Sequence, residues 1–452
     1  MTKSQVQVTH YPHRKCKFSE SADLKINDKT LVTPTFAPRL KSDGDMKRYS
    51  TVRNVYSSRQ LSAYVVRLLD TGRTLYPTMK KKAVSNLIAD QTTLDTKFAP
   101  QSGETVLLID PALEYLYYAV NMERLANTPF VSRTIRKYLL KFLEKSKKLE
   151  DERLKDKKKH IISEKLFRDS EHTNFWTCVY KDENMRMKLI RDTFYIELKA
   201  QADILVPPVP LITSPHLLEV TIFINEKSRA LSPALSQDKR VCADYFIIQP
   251  KVLRNQRMMS TIKEYVSNSE SPLTLFKFKN LNLNDENLAL ERSAFKGFLM
   301  ELSLVAHHVE NKAFGLLEAG NQTFPAAFSS FAIVSTGLNL DREDRRKAPE
   351  DISPFANRYD PVNMTMQNKE TFLQTVENSG NVIPCPCKVC TENPTIPNDF
   401  IEYNRRAKEH YLLCREQEMI EIINAIEKQE SQMAFEKLRR SSLKNLIDII
   451  PR

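Results

Sequence analysis

Short apolar runs recur along the chain, each of strand length and each bounded by polar residues or proline: ETVLLIDP (Glu104 to Pro111), ADILVPP (Ala202 to Pro208), ADYFIIQP (Ala243 to Pro250), LTLFKFKNL (Leu273 to Leu281), AFGLLEAG (Ala313 to Gly320) and FAIVSTGL (Phe331 to Leu338). They are continuous rather than alternating and rich in β-branched and aromatic residues, the pattern of parallel strands buried on both faces. Segments of helical periodicity, such as LERSAFKGFLMELSLVAHHVE (Leu290 to Glu310), separate some of them. Such alternation predicts an α/β fold, either a doubly wound sheet or a (β/α)8 TIM-like barrel. Polar residues recur at the C-terminal ends of the runs, at Asp110, Gln249, Asn280, Glu318 and Ser335, where barrel enzymes carry their chemistry, and this favours the barrel.

The rest of the pattern sets the boundaries. Residues 1–30 are polar and read as irregular; an amphipathic piece, LKINDKTLVTPTFAP, leads into the ordered part at TPTFAP. LSAYVVRLL (Leu61 to Leu69) has the spacing of a short helix. A charged helical insertion over about 120–170 carries apolar residues on one face only in its first half, so the second half is expected to project into solvent. PFANRYDPVNMTMQ reads as a loop or linker, and a long helix is expected from Tyr403 towards the C-terminus. The predicted organisation is therefore an irregular 1–30, a barrel over 31–350 and a C-terminal subdomain over 351–452.

Composition narrows the class. Apolar residues are 41 % of the 452 and aromatics 9 %, enough for a substantial core. Sixty-eight Lys and Arg against 56 Asp and Glu leave +12, which suits a polyanionic partner. No stretch has the length and apolarity of a membrane span, and the N-terminus lacks the apolar core of a secretory leader, so a cytoplasmic protein without membrane attachment is expected. Seven cysteines, mostly isolated, do not form a secreted disulfide framework.

The exception is CPCKVC, which places Cys385, Cys387 and Cys390 on one tight turn stiffened by Pro384 and Pro386. Zinc takes four soft or borderline ligands in a tetrahedron, and closely spaced cysteines supply three at little loop-closure cost. The fourth is sought on the following helix, where His410 and Cys414 are four residues apart and share a face; His410 is preferred, with Cys414 beside it or in its place. Four protein ligands make a closed, structural Zn2+ site. Elsewhere, His307 and His308 read as packing or surface residues and Trp176 as core. The basic stretch from Arg133 to Lys159 and the terminal Arg439, Arg440 and Lys444 suit phosphates, docking or dimerisation.

A C-x-C-x-x-C turn after a barrel, followed by a helix carrying His, resembles the tRNA-guanine transglycosylase superfamily, including its queuine and archaeosine tRNA-ribosyltransferases and DNA 7-deazaguanine relatives. The likeness runs at low similarity from about Leu31 to Glu427. TPTFAP looks like the family's opening threonine-proline segment. LLIDPALEY (Leu107 to Tyr115) matches the strand whose aspartate is the general acid/base, which falls on Asp110; YFIIQP places Gln249 as the glutamine that reads guanine, and ADILVPP places Asp203 on the base edge. The resemblance implies a pentosyltransferase exchanging guanine for a 7-deazaguanine, a nucleic-acid partner with tRNA ahead of DNA, and a homodimer or heterodimer.

Departures sit at the same places. Pro111, Ala112 and Leu113 replace the family's small residues, and the strand that should end in the aspartate nucleophile ends in Ser335, or Ala332 in another register. Glu318, Asp341 and Asp344 are the nearby carboxylates. Eight glycines fall far below the usual ~7 %, and backbone loops that approach a flat base rely on glycine. An active transglycosylase, a non-catalytic nucleic-acid-binding paralogue or partner subunit, and an unrelated zinc-stabilised barrel are the three expectations.

Overall fold

A computed structural model of the chain describes residues 6–11, 21–26, 29–56, 61–71, 105–113, 136–137, 140, 170–236, 240–279, 289–309, 311–320, 323–329, 331–338, 355 and 357–427. Asn280, Asp341, Asp344, the terminal Arg439, Arg440 and Lys444 and all but a few residues of the charged insertion lie outside these. Two compact units divide the chain: Met1–Val65, Ser102–Val106 and Lys277–Arg452 form the first, Val66–Gln101 and Leu107–Phe276 the second.

The first unit opens with an antiparallel three-stranded sheet, β1 (Val6–Tyr11), β2 (Ser21–Ile26) and β3 (Lys29–Thr33), where an irregular segment was expected. Leu24, Ile26 and Leu31 are fully buried, so even this polar sequence supplies one apolar face in period two. Two short strands follow, β4 (Thr35–Phe36) and β5 (Arg39–Leu40), then α1 (Asp43–Val55), whose N-cap Ser42 accepts a hydrogen bond from the Asp45 amide. The predicted helix at Leu61–Leu69 is instead strand β6 (Ala63–Arg67), buried throughout. Five residues with paired valines favour a strand once neighbours cover both faces, since β-branched side chains pack well on a pleated surface. The Val65 amide donates to the Pro38 carbonyl at 3.0 Å.

In the second unit, β7 (Val106–Asp110), which the first unit shares at Val106, pairs in parallel with β8 (Ile204–Leu205), and β8 with β10 (Val241–Cys242). Helical residues 170–181 and α2 (Glu183–Lys199) precede β8. Strand β9 (Leu211–Ile212) pairs in parallel with β11 (Asp244–Ile248), and α3 (Pro215–Leu235) packs on both. Helix α4 (Gln256–Asn268) and β12 (Leu273–Phe278) follow, the second unit ending at Phe276 within β12. Trp176 is fully buried edge-on to Phe175 at 5.1 Å, the core position its sequence suggested.

The chain returns to the first unit with α5 (Ala289–His308), β13 (Ala313–Leu317), α6 (Thr323–Phe328) and β14 (Ile333–Val334). His308 is on the surface. Strand β14 pairs in parallel with β13 on one edge and β4 on the other. The expected linker folds as a hairpin, β15 (Arg358–Asp360) with β16 (Thr365–Gln367). Asp360 closes its turn by accepting from the Val362 and Asn363 amides, so a local side-chain acceptor replaces the hydrophobic signal a strand usually needs. Helices α7 (Lys369–Asn378), α8 (Lys388–Glu392) and α9 (Phe400–Glu427) follow, and α9 packs on α1, β4, β15 and α8. The fold is mixed α/β with parallel strand pairs and a Cys/His cluster near the C-terminus. No helix among the described residues is long and apolar enough to cross a membrane.

Candidate metal centre and strand-end polar groups

Cys387 is the N-cap of α8, which carries Cys390, while Cys385 sits on the turn before it; the Ile383 amide donates to the Pro394 carbonyl at 3.1 Å and closes the loop around them. His410 and Cys414 project from the buried stripe of α9 together with Tyr403, Ala407 and Tyr411. The donor atoms of Cys385, Cys387, Cys390 and His410 all lie within 4.8 Å of one another. The three sulfurs stand 3.6, 3.3 and 3.3 Å from His410 Nδ1. A tetrahedral zinc with sulfur at about 2.3 Å and nitrogen at about 2.0 Å requires S–N edges of about 3.5 Å, so these residues fit a metal ion of that kind.

Orientation is set from outside the cluster. His410 Nε2 donates to the Tyr359 carbonyl at 2.7 Å, which fixes the tautomer and leaves the Nδ1 lone pair facing the sulfurs. The Arg358 guanidinium donates to Cys390 Sγ at 2.7 Å and lies over the Phe372 ring, a cation beside sulfurs that carry negative charge when they ligate. Tyr359 donates to Glu418 and accepts from Arg415, whose guanidinium lies 5.5 Å from the Phe36 ring centre. Hydrogen bonding with Cys387 and Cys390 pulls the Cys385 thiol far down, and the same sharing pushes Cys387 and Cys390 up. Burial pushes the Cys414 thiol up. Phe372, Val376, Ile383, Cys390, Tyr403 and Ala407 form the only small core around the cluster among the described residues.

The strand-end residues fall in different places. In the second unit Asp110 is fully buried at the end of β7; its Oδ1 accepts from the Ala112 amide and from the Tyr245 hydroxyl, each at 2.9 Å. Ala112 holds a left-handed φ of 53°, a conformation glycine takes more cheaply, and Pro111, Ala112 and Leu113 are all buried. Asp203 accepts from the Leu107 amide at 2.8 Å, completing the β7 edge. Gln249 is half-buried where β11 gives way to a 3-10 turn. In the first unit Glu318, also left-handed at φ 52°, is gripped by Arg39 Nη1 at 2.7 Å and Lys277 Nζ at 3.0 Å. Ser335 follows β14, fully buried, and its hydroxyl makes no hydrogen bond.

Sequence reading missed Glu197, Tyr245 and Arg358. Glu197 is fully buried on α2, where it continues the stripe Ile190, Thr193, Phe194; that spacing was the available signal. Its Oε2 accepts from the Val206 amide at 3.0 Å. Desolvation, with help from the Asp110 charge, holds its pKa well above the usual carboxylate range. A carboxyl raised in the folded state lends stability that is fully present below its unfolded pKa and is lost as pH rises through the folded one. Glu197→Gln should therefore flatten the fall in urea midpoint as pH rises above the ordinary carboxylate range; an unchanged slope would contradict a raised Glu197. Comparison of the chain with protein-family models and with curated proteins gives no match.

Proposed function

We propose that the chain is a zinc-braced (β/α)8 barrel of guanine-transglycosylase type that binds nucleic acid, tRNA ahead of DNA, as a non-catalytic paralogue or partner subunit. The barrel is supported by the ladder order. Within the first unit Thr35–Phe36 pairs in parallel with β14 and the Val65 amide of β6 donates to Pro38, so an early segment and a late strand share a ladder, as a barrel requires. Zinc in the Cys385, Cys387, Cys390 and His410 set would fasten the CPCKVC loop to α9, with no open position for a substrate. Thiols kept reduced for such a site suit the cytoplasm.

The observation that carries the non-catalytic reading is the employment of the carboxylates. Ser335 stands at the end of β14, Glu318 neutralises two cations, and Asp203 caps a strand edge. A glycosyl-enzyme intermediate needs an accessible carboxylate or comparable nucleophile, and among the described residues none of these three offers one, Asp341 and Asp344 lying outside them. The net charge of +12 supplies the attraction for phosphates.

A catalytic reading draws on Asp110, a buried carboxylate with a tyrosine hydroxyl in contact, an arrangement suited to proton transfer. Labelled guanine incubated with the protein and bulk tRNA or duplex DNA separates the two. The expected result is binding that weakens steeply with salt and no label in polymer. Incorporation that Asp110→Ala abolishes would replace this reading with the catalytic one, and a failure to bind either polymer would remove the nucleic-acid role.

A further inference from the structure

One further soft donor, Cys414, stands beside the four-residue cluster. Cys414 Sγ lies 3.5 Å from His410 Nδ1, within the 3.3 to 3.6 Å spread of the three cysteine sulfurs. It lies 3.7 Å from Nε2 of the same ring and is 4 % exposed, so it is packed against the histidine that completes the cluster. Four residues apart on α9, His410 and Cys414 approach the turn from the same face. A fifth soft donor thus stands next to the histidine of a set of four that lie within 4.8 Å of one another.

We propose that Cys414 is a reserve ligand that takes the fourth coordination position when His410 vacates it. The inference rests on the metal reading above. Zinc imposes no d-electron preference and accepts either three cysteines with histidine or four cysteines. In the exchange the metal–nitrogen bond breaks, the Cys414 S–H gives its proton to solvent, and a metal–sulfur bond forms; nothing is oxidised or reduced. The centre gains one negative charge, and the Arg358 guanidinium on Cys390 already sits where it offsets that charge. His410 remains the first choice because the Tyr359 carbonyl holds its ring in place.

The test uses the full-length protein, with metal content measured by elemental analysis and the ligand set read from the absorption of the cobalt-substituted form. Wild type, Cys414→Ser and His410→Ala should each hold about one equivalent. The His410→Ala spectrum should show added sulfur-to-cobalt intensity, and the His410→Ala, Cys414→Ser double variant should bind about 100-fold more weakly than His410→Ala. Should His410→Ala fail to accumulate, His410→Asn is read in the same way. Loss of metal from the single histidine variants while wild type keeps it would overturn the proposal, as would equal retention in single and double variants. A wild type that takes up no zinc or cobalt would instead overturn the metal reading itself.

Discussion

Cys387→Ser is expected to strip the metal from the protein and to destabilise the segment around α8 and α9 by at least about 3 kcal/mol, because binding energy at a structural site is folding energy. The local core is small, and two ligand cysteines, Cys385 and Cys387, are packed against its edge rather than sealed within it. Chelator-treated wild type should melt at the same lowered temperature as the variant, and zinc should restore the former alone. A metal-free wild type that melts like Cys387→Ser in the presence of zinc would mean that packing, not a metal, holds this segment.

Glu318→Gln is expected to cost about 3 kcal/mol, since it keeps the side chain's shape and removes a negative charge that two buried cations share. Arg39 is 2 % exposed and the Lys277 side chain fully buried, so neither can recover its hydration in place. Combining Glu318→Gln with Lys277→Met should return part of the loss, a coupling measurable by urea denaturation of the four proteins in the cycle. A stable Glu318→Gln protein would release this carboxylate from structural duty and reopen it as a nucleophile.

The strands were legible wherever burial on both faces wrote a continuous apolar run: ETVLLIDP, LTLFKFKNL and AFGLLEAG each contain the strand expected of them. LSAYVVRLL misled because nine residues admit both periods, and only neighbours on each side decide between them. The hairpin of Arg358 to Gln367 was hidden for another reason, since its register comes from Asp360 hydrogen bonds rather than from apolar alternation. At the Cys/His cluster the spacing of the cysteines named three residues and left the fourth between His410 and Cys414; the four donors within 4.8 Å of one another include the preferred His410. Their supports were invisible: an arginine before a hairpin, or a carbonyl of Tyr359, carries no mark in sequence of what it will face. The carboxylates were legible as residues but not as roles, because whether an acid is employed depends on amides and cations brought from distant positions.

Tyr359 joins two regions that the sequence keeps apart. Its carbonyl steadies His410, while its hydroxyl joins Glu418 and Arg415, and Arg415 in turn lies against Phe36 on β4. A metal bound at the cluster would thus have a route of direct contacts to that strand, and a ligand whose affinity the metal changed through Tyr359 would change the metal's affinity by the same factor.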